Sequence, residues 1–312
     1  MAWKVLITDG LESIGKEIIN KKNSAVDKKG IEAAELLEVI PKYDALIIRG
    51  RTKLTAEVFN AAENLKVVGR MGVGVDNIDL NAAKEHHVTV VNAAVASSIA
   101  VAELAMGLML ALVREIPRAD ASMKAETWLK KEFNGTELYG KTLGVIGFGN
   151  IGRRVGNYAS AFGMSILAYD PFRDAEYMRA NGAELATIEE IYKKADIITL
   201  HLPLTDQCRH LLNDEAFAKM KDGVLIVDAA RGGIIDEAAL LRALESGKVR
   251  GIGLDVYEKE PPLSWELAKH PKVIAMPHIG AQTAEAQLRA AVDISTEVIN
   301  ALDGQPLRWK IC

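Results

Sequence analysis

The chain is poor in cysteine. Among its 312 residues only Cys208 and Cys312 are cysteines, and no CxxC pair occurs. This excludes a disulfide framework and a thiolate metal site, and two isolated thiols suit a reducing compartment. The six histidines show no HExxH or similar ligand spacing, so no metal is expected. Charge of one sign is also lacking. Lysine and arginine number 38 against 42 aspartates and glutamates, a formal net charge of -4. Such a balance favours neither nucleic acid nor an anionic membrane as partner. An acidic small molecule would have to be held by local cations. The longest apolar run, residues 104–113, falls short of the ~20 residues that cross a bilayer. The chain passes from Met1 directly into the strand-like Lys4-Val5-Leu6-Ile7, without the charged-then-apolar order of a signal peptide. Low-complexity segments and tandem repeats are missing too. A soluble, cytoplasmic protein is the expectation.

What remains is an ordinary globular composition, 49% hydrophobic and 26% charged. Its length is large for one core and suits two domains. Short Val/Ile/Leu runs recur at residues 5–7, 45–48, 66–69, 89–92, 142–146, 166–169, 197–200, 224–227, 251–254 and 273–275. Continuous apolar runs of this length predict strands buried on both faces, hence parallel sheets. Amphipathic segments such as residues 11–20, 56–62, 151–161 and 237–245 lie between them. The alternation predicts a doubly wound α/β architecture. A long apolar helix near 98–114, followed by a polar stretch at 120–141, marks the break between two α/β domains.

Gly147-Phe148-Gly149-Asn150-Ile151-Gly152 is a GxGxxG motif. Alone it is a weak signal. Here a strand precedes it, a helical pattern follows, and Asp170 ends the next strand at close to the expected ~20-residue spacing. Gly147 would permit the tight turn, Gly149 the approach of a pyrophosphate, and Gly152 close helix–sheet packing. Asp170 would accept from ribose hydroxyls and repel a 2′-phosphate, so NAD is favoured over NADP, with nearby Arg173 weakening that preference slightly. The plain alternative is a tight β–α turn with a surface aspartate.

Hydride chemistry on an alcohol needs a base for the hydroxyl proton and a cation for a carboxylate. Candidates follow successive predicted strands, at the edge where open α/β sheets bind ligands. Arg231, in Ala229-Ala230-Arg231-Gly232-Gly233, could grip a carboxylate with two parallel hydrogen bonds. Asp255 ends the next strand, with Glu260 five residues on. His278 follows the last, in Pro277-His278-Ile279-Gly280. An imidazole titrates near neutrality, and a carboxylate on its other nitrogen would fix its tautomer. Glu260 is the proposed partner. Taken singly, Arg231 reads as a surface arginine and His278 as a structural histidine; the set reverses that reading. His201 should lie near the cofactor. His86, His87, His210 and His270 read as surface or loop residues.

Together with Gly147–Gly152 and Asp170, the segments His201-Leu202-Pro203-Leu204-Thr205, 229–233, 254–262 and 277–283 resemble the D-2-hydroxyacid dehydrogenase family, with the match running from about residue 4 to the end. The resemblance implies a Rossmann NAD-binding domain at 96–284, inserted in a flavodoxin-like substrate domain of 1–95 plus 285–312. It implies that His278 is the acid/base, with Glu260 its partner, and that Arg231 binds the substrate carboxylate. Backbone N–H groups near Val73 and Gly74 would complete the carboxylate site. The NAD contacts would include Asn150, Ile151, His201, Pro203, Thr205, Ala229, Arg231, Asp255, His278 and Gly280, with Asp255 on the nicotinamide side. A homodimer through the NAD domain, using the region from Ser98 to Lys141, is also implied.

Segments 48–55, 68–77 and 134–138 are most similar to family members acting on a phosphorylated substrate, which implies oxidation of 3-phosphoglycerate to 3-phosphohydroxypyruvate. Arg49, Arg51 and Lys53 cluster after one strand, and Arg70 ends the next; several cations suit a dianionic phosphate. Arg49 is the strongest of the four, and Arg51 and Lys53 could equally form a solvated basic turn. Lys130 and Lys131 are further candidates, acting from a second subunit. Departures from the family pattern are Asn92-Ala93-Ala94, where many relatives have a proline after the asparagine, and an end at Cys312. The latter implies a short form without the C-terminal serine-binding regulatory domain, and so no feedback inhibition by that route. The rival expectations are a hydroxypyruvate or glyoxylate reductase and an NAD-sensing corepressor that binds peptides.

Overall fold

The computed structural model describes residues 2–312, which divide into two compact units. One unit is Ser98–Gly280. The other is built from both flanking stretches, up to Ser97 and from Ala281 onward.

The flanking unit contains β1 (Lys4–Ile7), β2 (Ser24–Asp27), β3 (Ala45–Ile48), β4 (Val67–Arg70) and β5 (Thr89–Asn92). All pair in parallel, in the order β2-β1-β3-β4-β5. This is the flavodoxin-like winding. The central strand β3 is buried along its whole length, which its unbroken Ala-Leu-Ile-Ile run requires. Helices Ser13–Asn20 and Ala284–Leu302 cover one face, where Ile19, Ala290, Ile294 and Val298 meet Val5, Ile7 and Val67. A Cβ on Gly69 would stand 2.5 Å from the Val298 side chain, so glycine in β4 lets the last helix lie close to the sheet. Helices Ala33–Val39, Ala56–Ala61 and Leu80–Glu85 cover the other face with Leu36, Phe59 and Ala82.

The inserted unit holds β6 (Thr142–Ile146), β7 (Ser165–Tyr169), β8 (Glu184–Leu185), β9 (Ile197–Leu200), β10 (Val224–Asp228), β11 (Val249–Leu254) and β12 (Val273–Ala275). Their parallel order is β12-β11-β10-β9-β6-β7-β8. Counted from β6, this is the Rossmann order 3-2-1-4-5-6 with one strand added. The strand order reverses between β6 and β9, the switch point at whose strand ends open α/β sheets bind ligands. Helix Ser98–Val113 packs on β10 and β11 with Ala105, Leu108 and Met109. It stops before Glu115, whose φ of 52° breaks the helical path, and Ile116–Lys124 follows as a second helix. The polar stretch read from sequence thus begins inside a helix.

The edge strands β2 and β8 did not show as apolar runs. Both lie at the rim of a sheet, β8 is two exposed residues and β2 is exposed at both ends. Their backbones pair without burying the side chains that would announce a strand. No described helix is long and apolar enough to cross a membrane.

Candidate active site

The glycine loop follows β6 at the reversal point. Gly147 has φ 95°, a region other residues rarely enter, and a Cβ there would lie 2.6 Å from the His201 carbonyl oxygen. A Cβ on Gly152 would fall 2.0 Å from the Gly147 carbonyl oxygen, at the first turn of helix Gly152–Ala161. Around Gly149 nothing lies within 4 Å of an added Cβ, so the backbone faces open space. A bare loop leading into a helix N-terminus presents free N–H groups and a positive dipole end to a pyrophosphate. The cradle therefore fits a dinucleotide.

Asp170 follows β7. One of its oxygens accepts from the Phe148 amide at 2.9 Å and the other from Phe172 at 2.9 Å. The carboxylate braces the glycine loop and still has lone pairs for a ribose hydroxyl. Arg173 stacks over Tyr177, 4.5 Å from the ring centre.

After β9, the ring of His201 bonds Thr199 Oγ1 at 2.9 Å through Nε2. Its Nδ1 is buried without a partner, and burial pushes its pKa down to about 3. This ring stays neutral and is no proton shuttle at ordinary pH. Thr199, its neighbour, was not legible as a partner because it sits two residues back within the strand. Pro203 and Thr205 are tied by Cys208, whose Sγ–H donates to the Pro203 carbonyl at 2.8 Å and whose sulfur receives the Thr205 amide at 3.1 Å.

Three loops at the ends of β10, β11 and β12 carry the remaining residues. Asp228 ends β10 and accepts from the Ala230 amide at 2.9 Å, in the turn that leads through buried Ala229 to Arg231. Asp255 ends β11. Its two oxygens accept from the amides of Ile279 at 2.7 Å and Gly280 at 2.8 Å, so it fixes the loop that carries His278. Sequence reading placed Asp255 only beside the nicotinamide; the structure adds this bracing task. His278 itself has φ 54°, a left-handed backbone that costs a non-glycine residue about 1–3 kcal/mol. Strain of this kind persists where neighbours over-determine the geometry, and the Asp255 bonds to the next two residues do so.

His278 Nδ1 lies 2.6 Å from Glu260 Oε2. The other Glu260 oxygen accepts from the Tyr257 amide at 3.2 Å. The Glu260 hydrogen bond raises the His278 pKa above its ordinary value, against the lowering effect of burial. Burial raises the Glu260 carboxyl, but its bond to His278 and the nearby charges outweigh this, and its pKa is lowered. Nδ1–H faces the carboxylate, so Nε2 is the nitrogen left for a substrate. Arg231 acts on both groups electrostatically. One rim thus holds an oriented imidazole, a guanidinium and a dinucleotide cradle.

In the flanking unit, the Arg49 guanidinium bonds the Gln287 side chain and lies 3.8 Å from Glu12. Arg51 is exposed, yet it lies 3.3 Å from Asp9 and donates to the Ile31 carbonyl at 2.9 Å. It ties the segments after β1 and β3 together, which engages part of its guanidinium within the fold. Lys53 is exposed. Arg70 donates to the Met71 carbonyl at 3.2 Å. The loop with Val73 and Gly74 is held by Asn92, whose side chain donates to the Val73 carbonyl at 2.6 Å. Asp9 and Glu12 were missed in sequence because their partners are distant along the chain. Of the other histidines, His210 lies 3.2 Å from Glu258, His86 bonds Asn60, and His270 accepts from the Lys272 amide.

A Rossmann sheet with this rim defines a nicotinamide-dinucleotide-binding protein of the dehydrogenase class. Residues 106–280 match the family model described as D-isomer specific 2-hydroxyacid dehydrogenase, NAD binding domain. The chain belongs to that family, and its cofactor is NAD. It is 49% identical over 303 residues to a D-3-phosphoglycerate dehydrogenase of Methanocaldococcus jannaschii, covering 97% of this chain and 58% of the relative. A hydroxypyruvate reductase of Thermotoga maritima is 46% identical over 304 residues, covering 96% of this chain and 98% of the relative. The chain therefore spans little more than half of the first relative and nearly all of the second. Among solved structures, a D-lactate dehydrogenase from Aquifex aeolicus, complexed with NAD and lactic acid, superposes with TM-score 0.87 at 30% identity, covering 96% of each chain.

Proposed function

We propose that this chain is an NAD-dependent dehydrogenase that interconverts 3-phosphoglycerate and 3-phosphohydroxypyruvate, the first step of L-serine biosynthesis. The observation that carries the reaction class is the 2.6 Å contact of His278 with Glu260, which orients one ring nitrogen outward on the cofactor rim. In the oxidising direction neutral His278 takes the hydroxyl proton at Nε2. Glu260 stabilises the imidazolium that results. Arg231 holds the substrate carboxylate through two parallel hydrogen bonds. Gly147, Gly149, Asn150, Ile151, Gly152 and Asp170 would hold NAD, which when bound would supply the hydride acceptor. Asp255 and Gly280 keep the His278 loop in place through the bonds described above. We assign residues 96–284 to cofactor binding, and 1–95 with 285–312 to substrate binding.

The phosphorylated substrate rests on the relatives' names and on Arg49 and Arg70 at the ends of β3 and β4, with the Val73–Gly74 amides for the carboxylate. A second reading is a hydroxypyruvate or glyoxylate reductase. It is favoured by the relative matched along nearly its full length, and by the commitment of Arg51 to Asp9. A substrate panel separates the two. kcat/KM for 3-phosphoglycerate should exceed that for D-glycerate by about tenfold or more, the worth of one charge-assisted hydrogen bond; equal values would transfer the assignment to the reductase.

Two copies are proposed to pair through the inserted unit. Ile116, Met123, Trp128 and Tyr139 are large apolar residues left exposed within one short stretch. Light scattering should give twice the 33.9 kDa chain mass, and Trp128→Glu should halve it; a wild-type mass of one chain removes the proposal. Both cysteines are free thiols, in keeping with a cytoplasmic setting.

A further inference from the structure

Two carboxyl groups are buried side by side at the ends of β10 and β11. Asp228 is 2% exposed and Asp255 is 1% exposed. Their strands are paired, Asp228 opposite Leu254, and the Asp255 amide donates to the Asp228 backbone carbonyl at 2.9 Å. Each side chain holds a different loop. Asp255 bonds the amides after His278, whereas Asp228 bonds the Ala230 amide and is further supported by the amide of Arg231. The two acids therefore brace the proton-transfer residue and the carboxylate-binding residue respectively. Neither bracing role was legible in the sequence, which placed Asp255 beside the nicotinamide and gave Asp228 no task.

We infer that Asp228 is a positioning residue: it sets the turn that aims Arg231 at the substrate carboxylate, and through its own charge it tunes how strongly Arg231 holds that anion. The inference rests on the assignment of Arg231 as the substrate's anion partner. Two buried carboxylates on neighbouring strand ends repel each other, which favours the protonated form of either one. Burial, opposed by its amide bonds and by Arg231, pushes the Asp228 pKa up to about 7, with Asp255 adding to the rise. The groups acting on Asp228 can be named from each side. Arg231 stands on its own loop and Asp255 on β11. Across β9 the opposing residue is the apolar Leu200, and helix Ser98–Val113 covers β10 with apolar side chains. Below the transition Asp228 is neutral and takes nothing from the attraction between Arg231 and the substrate. Above it the carboxylate offsets part of that attraction, so KM for the hydroxy or oxo acid rises with pH. The kcat profile, set by His278, titrates separately.

The test compares wild type with Asp228→Asn, which keeps a hydrogen-bond acceptor and removes the charge, on whichever 2-oxo acid the enzyme reduces best. KM and kcat are followed from about pH 5.5 to about pH 8.5. Wild-type KM should climb severalfold across this range and the Asn variant should be flat, with the kcat limb unmoved. Asp228→Ala, which also loses the brace, should raise KM about tenfold or more at every pH. A KM profile of the Asn variant that parallels wild type overturns the inference. Should the Asn variant not fold, infrared difference spectra of the wild type decide. A protonated-carboxyl band present at about pH 6 and lost by about pH 8 supports the inference, and absence of any such band sinks it. If the Asn variant folds and keeps the band, another acid holds the proton and the inference fails. Arg231→Gln serves as the separate control: an unchanged KM in that variant would refute Arg231 as the anion partner, independently of Asp228.

Discussion

Glu260 and His278 set the proton chemistry, and their mutual effect gives it a sign. The raised His278 pKa keeps the imidazolium to higher pH than an unperturbed ring. Reduction of a 2-oxo acid uses the imidazolium, so its rate should fall as pH rises through that value. Oxidation uses the neutral ring and should rise through the same value. Glu260→Gln removes the charge that holds the proton, so both limbs should move to lower pH. His278→Ala should cost about 10²–10⁴-fold in kcat, the range of a general acid–base group. Steady-state pH profiles in both directions check this; limbs unmoved in the Gln variant would free His278 from its partner. Folding follows the same linkage: the stability contributed through the raised His278 pKa is complete below the unfolded-state value and is lost as pH rises through the folded one. His278 and Glu260 were legible because the carboxylate and the imidazole each follow a recognisable strand. The left-handed backbone of His278 was not, since nothing in Pro277-His278-Ile279 marks a φ of 54°.

Among the elements, the β6–loop–helix unit is the least tolerant of change. An alanine at Gly152 would place its Cβ 2.0 Å from the Gly147 oxygen, a contact that backbone must relieve by moving. Gly152→Ala should therefore cost about 1–3 kcal/mol of stability and displace the loop. Isothermal titration should show NADH binding weakened at least about tenfold, and retention of wild-type affinity would mean that the loop does not need this closeness. The central strands were readable because burial on both faces demands unbroken apolar runs, as in Ile197–Leu200 and Val224–Asp228. The edge strands Ser24–Asp27 and Glu184–Leu185 escaped because their partners are backbone groups rather than core side chains. The Arg51–Asp9 lock escaped for a related reason: a basic turn reads the same in sequence whether its cations face solvent or fold back on a strand end.

For the molecule as a whole, the inserted unit is continuous in sequence and the flanking unit is not. The last helix, Ala284–Leu302, completes the core around Val5, Ile7, Val67 and Val91. A chain ending after residue 283 should leave that sheet face covered by helix Ser13–Asn20 alone. Hydrogen exchange should then show β1, β3 and β4 unprotected while β6, β9 and β10 stay protected; slow exchange throughout β1 would mean that the face finds cover without the helix.

This division also orders events on the ribosome. The strands made first wait, with one greasy side only partly covered, until the helix beyond the inserted unit has been added, while the middle of the chain can settle as soon as it emerges. The first-made third is thus the part most in need of a chaperone's shelter during synthesis.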